Sequence, residues 1–270
     1  MQMEKVNLIT AHNHVLSSVL LKRDVNLNIY FPGGNYSRDQ IHLLLINDGQ
    51  DLPVMHFDEI LTDLYVHQKI APLFCVGIEC GIDRRNEYGT ACQLDYNGRG
   101  TKALSYQQFI FSELLPFLKA EYHPYSFKEK SFCGFSLGGL SALDIVWNHP
   151  HQFQRVGVFS GSLWWRSVSQ DDPLFNENAD RIMHSQIRNG GYHAGLKFFF
   201  ETGTLDETAD RNNNGIIDSI DDTLSLIDEL VKKGYDAEKD IYYLELKEGK
   251  HDVLTWGKAF PQFLKWGWGS

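Results

Sequence analysis

The stretch Lys130-Ser131-Phe132-Cys133-Gly134-Phe135-Ser136-Leu137-Gly138-Gly139-Leu140 constrains the chain more than any other. An apolar, strand-like run ends at Gly134, and a helical pattern starts directly after Gly138 and Gly139. A G-x-S-x-G sequence set between a strand and a helix makes a tight, strained turn that pushes the serine hydroxyl off the end of the strand. A Cβ at Gly134 or Gly138 would crowd that turn. The setting predicts Ser136 as a nucleophile, with a structural serine in a glycine turn as the alternative.

The rest of the chain alternates strands with helices. Runs at 6–9, 15–21 and 25–31 predict a two- or three-strand antiparallel start, followed by a turn at Pro32-Gly33-Gly34-Asn35. His12 and His14 near this edge read as ordinary polar positions. Continuous apolar runs at 42–46 and 73–78 read as strands covered on both faces, with a helix at 58–70 between them. Residues 79–104 form a long polar connection whose arginines, Arg84 and Arg85, either bind a substrate carboxylate or pair with Asp83 and Glu87. Ser105 is expected to cap a helix to Tyr122, kinked at Pro116. Strands follow at 130–135, 155–160, 196–201 and 241–246, with helices at 137–148, around 179–187 within a lid-like 170–195, at 220–233 and at the C-terminal end. His149, at the end of the 137–148 helix, reads as structural. Strand, helix, strand is the rhythm of a parallel sheet covered on both faces. No Pro/Gly/Ser linker divides residues 1–270, so one domain is expected.

A serine nucleophile needs a base, a carboxylate to orient that base, and donors for the developing oxyanion. In α/β-hydrolase folds they come in the order Ser, Asp or Glu, His. Asp206, or its neighbour Glu207, follows the strand at 196–201. Of eleven histidines, only His251 stands on a polar loop after the last strand. The oxyanion donors are expected from the backbone N–H of Leu137 and of Gln50, where Gly49 allows close approach. Trp164 and Trp165 lie past the end of the 155–160 strand, where ligands bind in open parallel sheets, and are candidates for a substrate wall; core packing is the alternative.

A second motif lies downstream. Asp210, Asn212, Asn214, Ile216 (through its carbonyl), Asp218 and Asp221 have the spacing of an EF-hand calcium loop, with Gly215 at its sixth position. Asp221 stands where Glu is usual, and no helix enters the loop. The expectation is a structural calcium ion pinning the loop that presents the acid; an Asn/Asp-rich surface turn is the alternative.

The net charge, 25 − 35 = −10, disfavours nucleic acid as a partner. No apolar run is long enough to span a bilayer, and Met1–Lys5 has no basic region followed by an apolar core, so no signal peptide is expected; a mature secreted chain shorn of its leader is the alternative. Four cysteines, Cys75, Cys80, Cys92 and Cys133, match no zinc spacing, and a reducing cytoplasm is the default location.

On Leu45-Ile46-Asn47-Asp48-Gly49-Gln50, Gly134–Ala142, Val158-Phe159-Ser160-Gly161-Ser162, Gly203-Thr204-Leu205-Asp206 and Gly249-Lys250-His251-Asp252, the chain resembles a family of α/β-hydrolase esterases. That family includes esterase D, feruloyl esterases, enterochelin esterases and mycolyltransferases. The resemblance implies an α/β-hydrolase fold and serine hydrolysis of a small-molecule carboxylic ester or thioester, with Ser136, Asp206 and His251 as triad and no catalytic metal. Family members place the acid at either of two neighbouring positions, or manage with Ser and His alone. Acyl transfer by the same residues, and a non-catalytic calcium-stabilised binding protein, are the rival expectations.

Overall fold

The computed structural model describes residues 9–33, 40–122 and 127–269. Residues 6–8 of the first expected strand, and Gly34 and Asn35 of the expected turn, lie outside them.

Eight strands form one sheet: β1 (Ile9–Ser18), β2 (Arg23–Pro32), β3 (His42–Asn47), β4 (Leu73–Ile78), β5 (Lys130–Phe135), β6 (Arg155–Phe159), β7 (Lys197–Leu205) and β8 (Ile241–Lys250). Their spatial order is β1-β2-β4-β3-β5-β6-β7-β8. β1 and β2 form an antiparallel hairpin and β2 lies antiparallel to β4, while every later pairing is parallel. The expected strand at 15–21 is the second half of β1, and 19–22 is its turn.

Nine helices were found among the described residues: α1 (Phe57–Val66), α2 (Arg84–Glu87), α3 (Ala103–Phe109), α4 (Leu115–Glu121), α5 (Leu137–Asn148), α6 (Glu177–Asp180), α7 (Ile182–Asn189), α8 (Asp218–Lys233) and α9 (Val253–Trp268). They cover the sheet on both faces. The strands' period of two sends Leu43, Leu45, Phe132, Phe198 and Phe200 into one core with α3, α5, α7 and α8. Leu44, Ile46, Cys133, Phe135 and Phe199 go into a second core, under α1 and α9.

Two expectations change. Pro116 removes a backbone donor and crowds the carbonyl four residues back, and a π-helical turn at Ile110–Leu114 absorbs this between α3 and α4. That turn carries Glu113, whose carboxylate accepts from Ser18 Oγ and from the N–H groups of Val19 and Leu20, fastening the β1–β2 turn. The helix begins at Ala103, so Ser105 lies inside it rather than at its cap. The 79–104 connection is ordered by burial: Tyr88 is buried, Gly89 N–H donates to Ser141 Oγ, and Ala91 N–H donates to Asp144.

Candidate active site

Register decides which residues meet at the carboxyl edge of the sheet. Phe135 stands opposite Phe159, and Phe159 opposite Glu201. Ser136 and Ser160 therefore leave neighbouring strands side by side. At the far side, Leu205 stands opposite Lys250 after a bulge at Gly203. The next residue on each strand is Asp206 and His251. A Cβ on Gly203 would meet the backbone of Gly249 at 2.4 Å, so this close approach of β7 and β8 requires glycine.

Ser136 has φ 53° and ψ −121°, a region that costs roughly 1–3 kcal/mol for a non-glycine residue. The strain is held by hydrogen bonds from Ser136 N–H to Phe159 O, 2.8 Å, and from Ser162 N–H to Ser136 O, 3.1 Å. Ser136 Oγ lies 3.3 Å from Ser162 Oγ. A Cβ on Gly134 would strike Gly138 O at 2.4 Å, and one on Gly138 would strike Asp48 Oδ2 at 2.4 Å. The turn therefore packs tightly against the loop after β3.

That loop is held on three sides. Asp48, buried and left-handed at φ 59°, accepts from Arg84 Nε and Nη2 at 2.7 Å each. The same Nη2 donates to Phe135 O at 3.2 Å. Asp48 N–H donates to Tyr88 Oη, and Asn47 Nδ2 donates to Gly138 O. The N–H groups of Gln50 and Leu137 have no acceptor among the described residues. The Gln50 side chain is tied by Cys80 N–H.

Ser136 and His251 line one cleft of about 440 Å³ with Asp48, Gln50, Asp51, Arg84, Asp252, Val253 and Trp256. The His251 ring packs edge-on to Trp256 and makes no hydrogen bond among the described residues. Catalytic hydrogen bonds of unliganded enzymes are often long, so this does not disqualify it. Desolvation lowers the His251 pKa and Arg84 lowers it further, while Asp206 and Asp252 raise it. Burial raises the Asp206 carboxyl against hydrogen bonds from Gly203 and Ser160 and the charge of His251, which lower it. Asp206 Oδ1 accepts from Ser160 Oγ at 3.1 Å, and its buried Oδ2 has no partner. Burial raises the Glu207 carboxyl, the backbone of Ser219 lowers it, and the charges of Asp218, Asp222 and Asp206 raise it, with no histidine among its charge neighbours.

Two neighbours of Asp206, Ser160 and Glu201, carried no role in the reading of the sequence, and Arg84 has a partner that reading did not name. Ser160 accepts from Trp256 Nε1 at 2.9 Å and so anchors the first turn of α9 beneath Asp206. Glu201, buried and beside Asp206, is pushed up to about 8 by desolvation first and by that neighbour second. Arg84 pairs with Asp48, whereas Asp83 pairs with Lys102 and Glu87 with Arg23.

Trp164 and Trp165 do not line the cleft. Trp165 is fully buried, its Nε1–H bonded to Thr90 Oγ1, with Gly89 directly against its ring. Trp164 is half-buried under the guanidinium of Arg99. Trp165 is core because the ordered 79–104 connection lies over it, and Trp164 packs beside it, partly buried.

The Asp210–Asp221 loop forms, with Gly215 at φ +85°. Asp210 accepts from the N–H groups of Asn214 and Gly215, Asn214 Oδ1 from that of Ile216, and Asn212 Nδ2 donates to Asp221 Oδ2. Arg211 reaches Asp218 and Asp222, and Glu177 on α6. Among the described residues, no three His, Cys, Asp or Glu side chains gather closely enough to hold a metal ion. No helix among them is long and apolar enough to cross a membrane.

Strand order, the strained serine turn and the paired strand ends define an α/β-hydrolase fold. The chain belongs to the family described as "Putative esterase", whose model matches residues 18–266. It is 26% identical over 241 residues to the iron(III) enterobactin esterase of Escherichia coli K12, covering 87% of this chain and 51% of that protein. It therefore spans about half the length of that relative. It is 24% identical to the Bacillus subtilis protein YjcH, over 91% of this chain and 92% of that one. Among solved structures, the enterochelin esterase of Shigella flexneri superposes with a TM-score of 0.72 at 23% identity, covering 98% of this chain and 59% of that one. The siderophore hydrolase EstB of Aspergillus nidulans does so with 0.69 at 16% identity, over 98% and 97%.

Proposed function

We propose that the protein hydrolyses a small-molecule carboxylic ester or thioester through an acyl-enzyme on Ser136. His251 takes the Ser136 hydroxyl proton as Oγ attacks the acyl carbon, and the N–H groups of Leu137 and Gln50 receive the oxyanion. The tetrahedral intermediate collapses, and His251 passes its proton to the departing alcohol or thiol. A water molecule, deprotonated by His251, then attacks the acyl carbon and releases the acid and free Ser136. Asp206 orients His251 and stabilises its cationic form. The observation that carries this reading is the strained Ser136 opening into the same cleft as His251, whose pKa responds to Asp206.

For calcium, the proposed ligands are Asp210, Asn212, Asn214, the Ile216 carbonyl, Asp218 and Asp221, with Arg211 competing for Asp218. Their spacing and the contact between Asn212 and Asp221 across the loop support it. Four free thiols suit a reducing cytoplasm, where we place the enzyme.

A fluorophosphonate probe tests the nucleophile. The wild-type protein is expected to be labelled and Ser136→Ala to be unlabelled; equal labelling of both overturns the reading.

A further inference from the structure

The cleft holds one carboxylate that the chemistry above leaves unused. Asp51 follows Gln50 in the 3₁₀ turn after β3, and its backbone is committed: its N–H donates to Asp48 O and its carbonyl accepts from Met55 N–H. Its side chain is half-buried at the cleft and has no hydrogen bond or ion pair among the described residues. The other charged groups lining the cleft have partners or roles. Asp48 is held by Arg84, Asp252 caps α9 through Thr255 N–H, and His251 is the proposed base. Among the described residues Arg84 is the one Arg or Lys lining the cleft, and its Nε and Nη2 are committed to Asp48 and Phe135 O. An anionic substrate would thus meet Asp51 beside a cation whose charge is already matched by Asp48, whereas a cationic one would find a carboxylate with no ion-pair partner among the described residues.

We propose that Asp51 selects esters bearing an ammonium group, its carboxylate pairing with that cation while the acyl carbon lies at Ser136. The proposal rests on Ser136 being the nucleophile. Half-burial and the charge of Asp48 push Asp51 up to about 6, against the opposing pull of Arg84. The carboxylate is therefore ionised above neutrality and becomes neutral in mild acid. Its loss of charge should be visible as a loss of selectivity. The titratable groups around it are Asp48 and Arg84 from the β3 loop and α2 and Cys80 after β4, with His251 and Asp252 lining the same cleft.

The test compares acetylcholine with its neutral isostere 3,3-dimethylbutyl acetate, and both with the anionic monoethyl ester of succinic acid, in low salt. At pH 7.5 kcat/KM should favour the cation over the isostere by at least about fivefold, the scale of a partly exposed ion pair, with the anion slowest. Asp51→Asn should bring the cation-to-neutral ratio to about one, and Asp51→Glu should restore it. Lowering the pH through about 6 should erode the ratio in the wild type. Protonation of His251 slows both esters alike and cancels in the ratio. A ratio near one in the wild type, one unchanged in Asp51→Asn, or a preference for the anion overturns the proposal while leaving the esterase reading intact, provided the neutral ester is turned over and Ser136 is labelled. If no ester is turned over and Ser136 is not labelled, both fail.

Discussion

Arg84 grips Asp48 with two hydrogen bonds and Phe135 with a third, so one guanidinium spans the loop after β3 and the strand end that carries Ser136. These two segments present the proposed oxyanion donors, Gln50 and Leu137. Their separation is held by a planar fork, which a lysine cannot reproduce. Arg84→Lys is therefore expected to lower kcat about 10- to 100-fold with a much smaller change in KM, read by steady-state kinetics. Arg84→Ala leaves the buried Asp48 carboxylate unpaired and is expected to lose about 3 kcal/mol of stability, read by urea unfolding. A change in KM alone would show that Arg84 binds substrate rather than positioning the donors.

Asp206 and Glu207 are adjacent in sequence but serve different surroundings. Asp206→Asn is expected to reduce kcat about 10³- to 10⁴-fold, and Glu207→Gln by less than about threefold. Small, equal losses would point to a Ser–His pair working without an acid.

The pH profile follows from His251. Only its neutral form can accept the Ser136 proton, so activity falls as pH drops through its pKa. Desolvation and Arg84 set that pKa below the ordinary 6.5. The acid limb of kcat/KM for a neutral ester is expected to have its midpoint below 6.5. Removing the charge of Asp206, which raises the His251 pKa, should move that midpoint lower still in Asp206→Asn.

Calcium is tested by melting. EGTA is expected to lower the Tm of the wild type, and Asp210→Ala to abolish that sensitivity. Identical melting curves with and without the chelator would leave Arg211 as the cation that neutralises Asp218 and Asp222.

The placement of Ser136, Asp206 and His251 just past the ends of β5, β7 and β8 was legible in the sequence, because the strand signal is local. So were the parallel sheet and the antiparallel hairpin, since the period of two in β2 and the continuous apolar runs of β3 and β4 need no tertiary knowledge. The Asp48–Arg84 pair was not legible: the reading had Arg84 either binding a substrate carboxylate or pairing with Asp83 and Glu87, its neighbours in sequence, while its partner lies on another loop. Pro116 announced a disturbance of its helix, but the π turn that absorbs it depends on Glu113 reaching the β1–β2 turn. Trp165 looked like a ligand surface because its burial beneath Gly89 and Gly100 arises only once 79–104 has folded over it.

The pairing of Leu205 with Lys250 also frees the chain between them. Because strand register sets Asp206 and His251 at neighbouring strand ends, the exposed loop before α8 can change in length without altering that register, whereas α8 is tied to the core by Leu226 and Leu230. That loop is a modular insertion point, and a decoration such as Asp210–Gly215 can be gained or lost there while Asp206 and His251 keep their places.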